Sequence, residues 1–199
     1  MLIAFNGVSD GHVIVIDGCH IVSMFYDTPP DYSAYLYDAV INSGVYANLI
    51  NEALGPIEAF TWSRDVGDTY VSVNRLSVRL EEISNLCIEQ NKPFVILSHS
   101  WGTVLAYLAL KKNPKIHVDK LITMGSPLDS ITPGVWELTH NYVQDFIYFN
   151  HFELPYVNEW KNYWAVYDWI SGSIPGTSNI KITSSFFDVL GHCCPVEVT

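Results

Sequence analysis

Phe94-Val95-Ile96-Leu97-Ser98-His99-Ser100-Trp101-Gly102-Thr103-Val104-Leu105-Ala106 decides how this chain folds. Phe94–Leu97 is a short, continuous apolar run introduced by Pro93, the pattern of a strand buried on both faces. Thr103–Lys112 reads as a helix and stops at Asn113-Pro114. Between them lies a tight turn in which small residues, Ser98 and Gly102, stand two positions before and two after Ser100. A buried strand that runs straight into a helix is one half of a parallel βα unit, so the rest of the chain is expected to supply more such units.

The segment resembles the nucleophile elbow of the α/β-hydrolases, written G-x-S-x-G, with Ser98 in place of the first glycine. The resemblance implies that Ser100 is a nucleophile held in a strained backbone conformation. It also explains the small flanking residues, which pack against each other and the neighbouring strand, where a larger side chain would clash. Ser100 would then sit at a helix N-terminus, where free N–H groups and the helix dipole favour developing negative charge. The same resemblance makes the Trp101 N–H one donor to an oxyanion.

Working outward, strands are expected at Leu2–Phe5 and His12–Ile16, separated by the turn signal Ser9-Asp10-Gly11. A helix over Tyr32–Leu54 would be capped by Asp31 and stopped by Gly55-Pro56. Ile57–Trp62 reads as a strand and Asp68–Gln90 as a helix, with Val71, Leu76, Leu80, Ile83 and Leu86 forming its apolar face. Val118–Met124, closed by Gly125-Ser126-Pro127, then Asn162–Tyr167 and Ile180–Thr183 complete the strands. The expected fold is α/β: a mostly parallel central sheet with helices on both faces, ligands at its carboxyl edge, and one domain over residues 1–199.

Composition agrees with this and excludes other classes. The 199 residues suffice for one core, and 49% are hydrophobic. Ten basic against 21 acidic residues leave a net charge of −11, which repels nucleic acid and anionic lipid headgroups. No apolar run approaches the roughly 20 residues that span a bilayer. Met1–Gly7 lacks the basic segment and apolar core of a signal peptide, so a soluble, cytoplasmic protein is expected. Cys19, Cys87, Cys193 and Cys194 form no C-x-x-C pair, and they read as free thiols rather than metal ligands.

A serine hydroxyl needs a base, and the base an orienting acid. In the α/β-hydrolases these follow in the order Ser, Asp or Glu, His. His192, within Leu190-Gly191-His192-Cys193, is the last histidine of the chain and so the implied base. Asp168 closes the apolar run Asn162–Tyr167 and is the favoured acid, with Asp188 its rival. The second oxyanion donor would follow an early strand: Cys19 N–H after Asp17-Gly18, or Val8 after Asn6-Gly7, with Cys19 preferred for the long loop and helix behind it.

Residues of about 128–160 exceed a simple crossover and are rich in aromatics: Trp136, Tyr142, Phe146, Tyr148, Phe149, Phe152, Tyr156 and Trp160. They are either a cap over an apolar pocket, with Trp136, Phe146 and Phe149 as its lining, or core beneath a helix. The expected chemistry is hydrolysis of an ester or thioester of a small or apolar acyl group, without metal or organic cofactor. An acyltransferase with the same triad, or a catalytically silent binding protein of the same fold, are the alternatives.

Overall fold

Val13-Ile14-Val15-Ile16 places valines on one face of a strand and isoleucines on the other, and both faces are buried. In the computed structural model this strand, β1 (His12–Ile16), lies inside the sheet. The structure describes residues 11–19, 29–42, 56–130, 132–143, 152, 154, 156–165 and 168–182. These carry, in chain order, α1 (Tyr35–Asn42), β2 (Ile57–Phe60), α2 (Thr69–Gln90), β3 (Phe94–His99), α3 (Trp101–Lys112), β4 (Val118–Met124), α4 (Pro133–Tyr142), β5 (Val157–Ala165) and β6 (Ser178–Ile182). Short 3-10 turns at Val66–Asp68 and Pro127–Asp129 precede α2 and α4.

The strands form one sheet in the order β2-β1-β3-β4-β5-β6, with every neighbouring pair parallel. All carboxyl ends therefore lie on one edge, the place where ligands bind in open parallel sheets. The strand alternation sorts two cores. Ile14, Ile16, Phe94, Ile96 and Leu121 face α2 and α3, joined by Leu76, Leu80, Ile83, Val104 and Leu105. Val13, Val15, Val95, Leu97 and Ile122 face the other side, where Leu36 and Tyr37 of α1 cover them. The expected sheet with helices on both faces is what the chain forms. No described helix is long and apolar enough to cross a membrane.

Several boundaries differ from the expectation. Helix α1 begins at Tyr35, not Tyr32. Asp31 does not cap it; its carboxylate accepts instead from Ser33 N (3.0 Å) and Arg64 Nη1 (3.2 Å). Along α2, Leu76, Leu80 and Ile83 are buried, but Val71 and Leu86 are exposed. Val73 and Cys87 complete the stripe, because positions 73, 76, 80, 83 and 87 share one face at 3.6 residues per turn. Helix α3 starts two residues earlier than Thr103, directly after Ser100. The strand run Leu2–Phe5 lies outside the described residues.

The largest difference is β5, which spans Val157–Ala165 instead of starting at Asn162. Its first residues are polar because their partners are: Glu159 lies 3.1 Å from Lys120 on β4 and 2.9 Å from Lys161. Trp160 is thereby a sheet residue packed near Tyr107, with its Nε1 donating to Thr123 Oγ1 at 3.1 Å. Trp136 on α4 is 37% exposed and stacks on His140 at 3.9 Å. Trp160→Ala is expected to cost about 3–5 kcal/mol in urea unfolding and Trp136→Ala less than about 1 kcal/mol. Equal costs would contradict this division between core and edge.

Candidate active site

Ser100 occupies the single step between β3 and α3, with φ 50° and ψ −128°. For a residue with a side chain this is a strained conformation, costing about 1–3 kcal/mol, and the surroundings must impose it. They do so from three sides. Ser100 N–H donates to Met124 O at 2.9 Å, tying the turn to the end of β4. A Cβ on Gly102 would lie 2.5 Å from both Ile16 O and Asp17 O, so the first turn of α3 rests on the backbone leaving β1. A Cβ on Gly18 would lie 2.6 Å from Ser100 Cβ and 3.2 Å from Ser100 Oγ.

Ser98 fills the place of the first elbow glycine without strain. It is fully buried, and its hydroxyl donates to Ile122 O at 3.2 Å across the β3–β4 ladder. The Ser100 hydroxyl makes no capping bond to α3. The Ser100 carbonyl, by contrast, accepts from Thr103 Oγ1 at 2.7 Å, and Thr103 Oγ1 lies 2.7 Å from Ser126 Oγ. This buried pair of hydroxyls explains Gly125-Ser126-Pro127. Ser126 caps the 3-10 turn by accepting from Leu128 N, and it braces the elbow as well. Ser126-Pro127 signals the cap locally, but the brace has no local sequence signal.

Trp101 is completely buried, its Nε1 donating to Thr69 Oγ1 at 2.9 Å, and its backbone N–H is at the first position of α3. Of the two early loops, the one after β1 is beside Ser100, through Gly18; Val8 lies outside the described residues. Asp168 is buried three residues beyond β5. Its Oδ1 accepts from Ile170 N at 2.9 Å, and its own N–H donates to Ala165 O at 3.2 Å. Asn162, in the middle of β5, fixes the loop that follows: its Nδ2 donates to Gly172 O (2.9 Å) and Asn179 Oδ1 (2.8 Å).

Strand ends two ladders apart, as those of β3 and β5 are, stand about 10 Å from each other. His192, Asp188, Phe146 and Phe149 lie outside the described residues. Among the other aromatics of that segment, Tyr142 packs on Trp101 and Phe152 on Tyr107, and both serve the core. A half-buried carboxyl at this edge, Asp129 after β4, carries no strand-end pattern in the sequence. Burial raises its pKa, against attraction from His140.

No family profile and no curated protein matches this chain by sequence. Solved structures do match it in shape. Lipase B of Aspergillus fumigatus superposes with a TM-score of 0.50 over 90% of this chain at 18% identity, and the match spans 43% of the lipase. Francisella virulence factor BioJ gives 0.51 over 96% of this chain and 73% of its own, at 11% identity. A Xanthomonas campestris pv. campestris protein assigned to the α/β superfamily of hydrolases gives 0.48 over 92% and 91%, at 14% identity. With the sheet order and the strained serine, the first two likenesses show an α/β-hydrolase fold.

Asp17 directly follows β1, beside the elbow. Burial pushes its carboxyl up to about 6 from 3.8, although both oxygens accept from Leu36 N at 2.9 Å and Arg64 attracts its charge. The folded protein thus binds this proton more tightly than the unfolded chain. The associated stability is full below pH 3.8 and is lost as pH rises through 6. Relative to Asp17→Asn, wild type should lose on the order of 2–3 kcal/mol between pH 4 and 7 in thermal or urea unfolding. Parallel profiles for the two proteins would refute the buried, high-pKa carboxyl.

Proposed function

We propose that this protein is a serine hydrolase that cleaves an ester or thioester of a small or apolar acyl group, with Ser100, Asp168 and His192 as its triad. The observation that carries the reading is Ser100 itself. A serine is forced to φ 50° at a helix N-terminus, on the ligand-binding edge of a parallel sheet, with its hydroxyl left out of the capping of that helix. Ordinary βα turns have no need of such a conformation.

In the proposed reaction Ser100 Oγ attacks the acyl carbonyl carbon while its proton passes to His192. The carbonyl electron pair moves to oxygen, and the resulting oxyanion is held by the N–H groups of Trp101 and Cys19. Collapse of the tetrahedral intermediate expels the alcohol or thiol, which takes the proton from His192 and leaves an acyl-Ser100 ester. Water then attacks that ester with His192 again as base, and the acid is released. Asp168 accepts a hydrogen bond from the other ring N–H of His192, fixing the tautomer and stabilising the imidazolium. No cofactor enters any step, and the expected setting is the cytoplasm.

The loop after β5 supports Asp168 as the acid, since Asn162 holds that loop in place. An apolar acyl group is supported by Trp136, the aromatic of α4 that keeps an exposed face near the 3-10 turn after β4. Turnover of p-nitrophenyl esters from acetate to decanoate, measured in wild type and variants, tests the whole reading. Wild type should be active and should prefer one part of the chain-length range. Ser100→Ala and His192→Ala should fall to background and Asp168→Asn should lose about 10⁴-fold in kcat. Asp129→Asn should stay within about threefold, as substitutions outside the reacting groups commonly do. Full activity in Ser100→Ala would refute the nucleophile, and a reversed order of the two aspartates would move the acid to β4.

A further inference from the structure

The backbone leaving β1 is gripped by two side chains from the segment after β2. Trp62 Nε1 donates to Asp17 O at 3.0 Å, and Arg64 Nε donates to Gly18 O at 2.8 Å. Residues 62 and 64 thus reach successive carbonyls, 17 and 18. Arg64 is held in turn: its Nη1 donates to Asp31 Oδ2 (3.2 Å) and Ser33 Oγ (3.0 Å), and its guanidinium lies 4.8 Å from the ring centre of Tyr35. Its side chain is 11% exposed, so its charge is poorly screened by water. Its own backbone sits at φ 57°, a left-handed conformation that a residue with a side chain adopts at a cost.

We infer that Arg64 is a positioning residue for the oxyanion hole, acting through the Gly18–Cys19 peptide. The inference rests on the proposed reading of Ser100 as nucleophile and Cys19 N–H as oxyanion donor. The peptide unit is planar and trans, so its N–H points opposite to its C=O. A guanidinium fixed on Gly18 O therefore aims the Cys19 N–H away from Arg64. The near contact of Gly18 with Ser100 shows how close that peptide lies to the nucleophile. A charge-assisted bond at the oxygen also draws electron density through the amide and makes the N–H a stronger donor.

The arrangement meets a specific difficulty. Gly18 has no side chain to hold its own peptide in one orientation, and the space against Ser100 admits none. Rotation of that peptide would cost little from local sterics, yet the oxyanion forms only for a moment and needs its donor already in place. The restraint must come from a neighbour, and Arg64 supplies it from 46 residues downstream. Asp31 and Ser33 extend the same restraint to the segment just before α1, whose Leu36 N–H donates to the Asp17 carboxylate.

The test compares wild type, Arg64→Gln and Arg64→Lys in p-nitrophenyl butyrate hydrolysis. It adds inhibition by 1,1,1-trifluoro-2-octanone, to which Ser100 adds to give an oxyanion, and by 2-octanone, which stays a neutral ketone. Arg64→Gln should lower kcat about 10- to 100-fold with KM within about twofold, the range of residues that orient a reacting group through another. Its inhibition constant for the trifluoroketone should rise by the same factor, while that for 2-octanone stays within about twofold. Should Arg64→Gln not fold, Arg64→Lys decides. It keeps the charge without the planar fork and should lose at least about threefold in kcat alone.

An unchanged kcat in a folded variant overturns the inference. So does equal weakening of both ketones, the mark of a pocket disturbed as a whole. Absence of turnover in wild type would instead overturn the hydrolase reading, and this inference with it.

Discussion

The end of β1 and the turn after β3 share a space that does not admit one extra methyl group. A side chain at Gly102 would strike the carbonyls of Ile16 and Asp17, and one at Gly18 would strike Ser100. Backbone cannot yield as a flexible side chain can, so this contact fixes three things together. It sets how deep α3 packs on the sheet, where the loop after β1 runs, and how far Ser100 is lifted out of the strand. The left-handed φ of Ser100 follows from that crowding, held by the bond from its N–H to Met124 O. The pleated strands supply the rigid frame, and their parallel order brings every loop of chemical interest to the same edge.

Around this contact the polar groups are arranged to hold backbone rather than to face solvent. Thr103, itself bonded to Ser126, holds the Ser100 carbonyl, Trp62 and Arg64 hold the carbonyls of Asp17 and Gly18, and Asn162 holds the loop that bears Asp168. Three of these bonds join distant parts of the chain, and most are buried, where a hydrogen bond is worth more and an unmade one costs more. Asp17 shows the tension in such packing. Its carboxyl is wanted as an acceptor for Leu36 N–H, yet burial disfavours its charge and lifts its pKa to about 6. On the proposed reading of Ser100, a scaffold built this way would keep an oxyanion site in place before substrate arrives, as electrostatic catalysis requires.

Much of this was legible in the sequence, for physical reasons. The elbow writes itself locally, since a buried strand, a small-residue turn and a helix must follow one another within a dozen residues. The apolar runs of β1 and β3 are continuous because both their faces are covered. Strand β5 was not legible at its start: Asn158 and Glu159 pair with Asp119, Lys120 and Lys161 at the sheet's amino end, so the run looks polar. Its Trp160 therefore reads, with the other aromatics of 128–160, as cap or helix-covered core rather than as strand. The stripe on α2 slipped at both ends because valine and leucine at 71 and 86 mimic a face that Val73 and Cys87 fill. Arg64, Thr103 and Ser126 leave no local trace, since their partners lie 23–46 residues away or are backbone atoms.

Ser100 is the proposed nucleophile, made reactive by where the fold puts it. Its most direct test is treatment of the full chain with a fluorophosphonate, followed by intact mass and peptide mapping. A reactive Ser100 should give one adduct per chain, on the peptide containing Ser100, absent from Ser100→Ala and suppressed in His192→Ala. No adduct on wild type, or an equal adduct on Ser100→Ala, would contradict it.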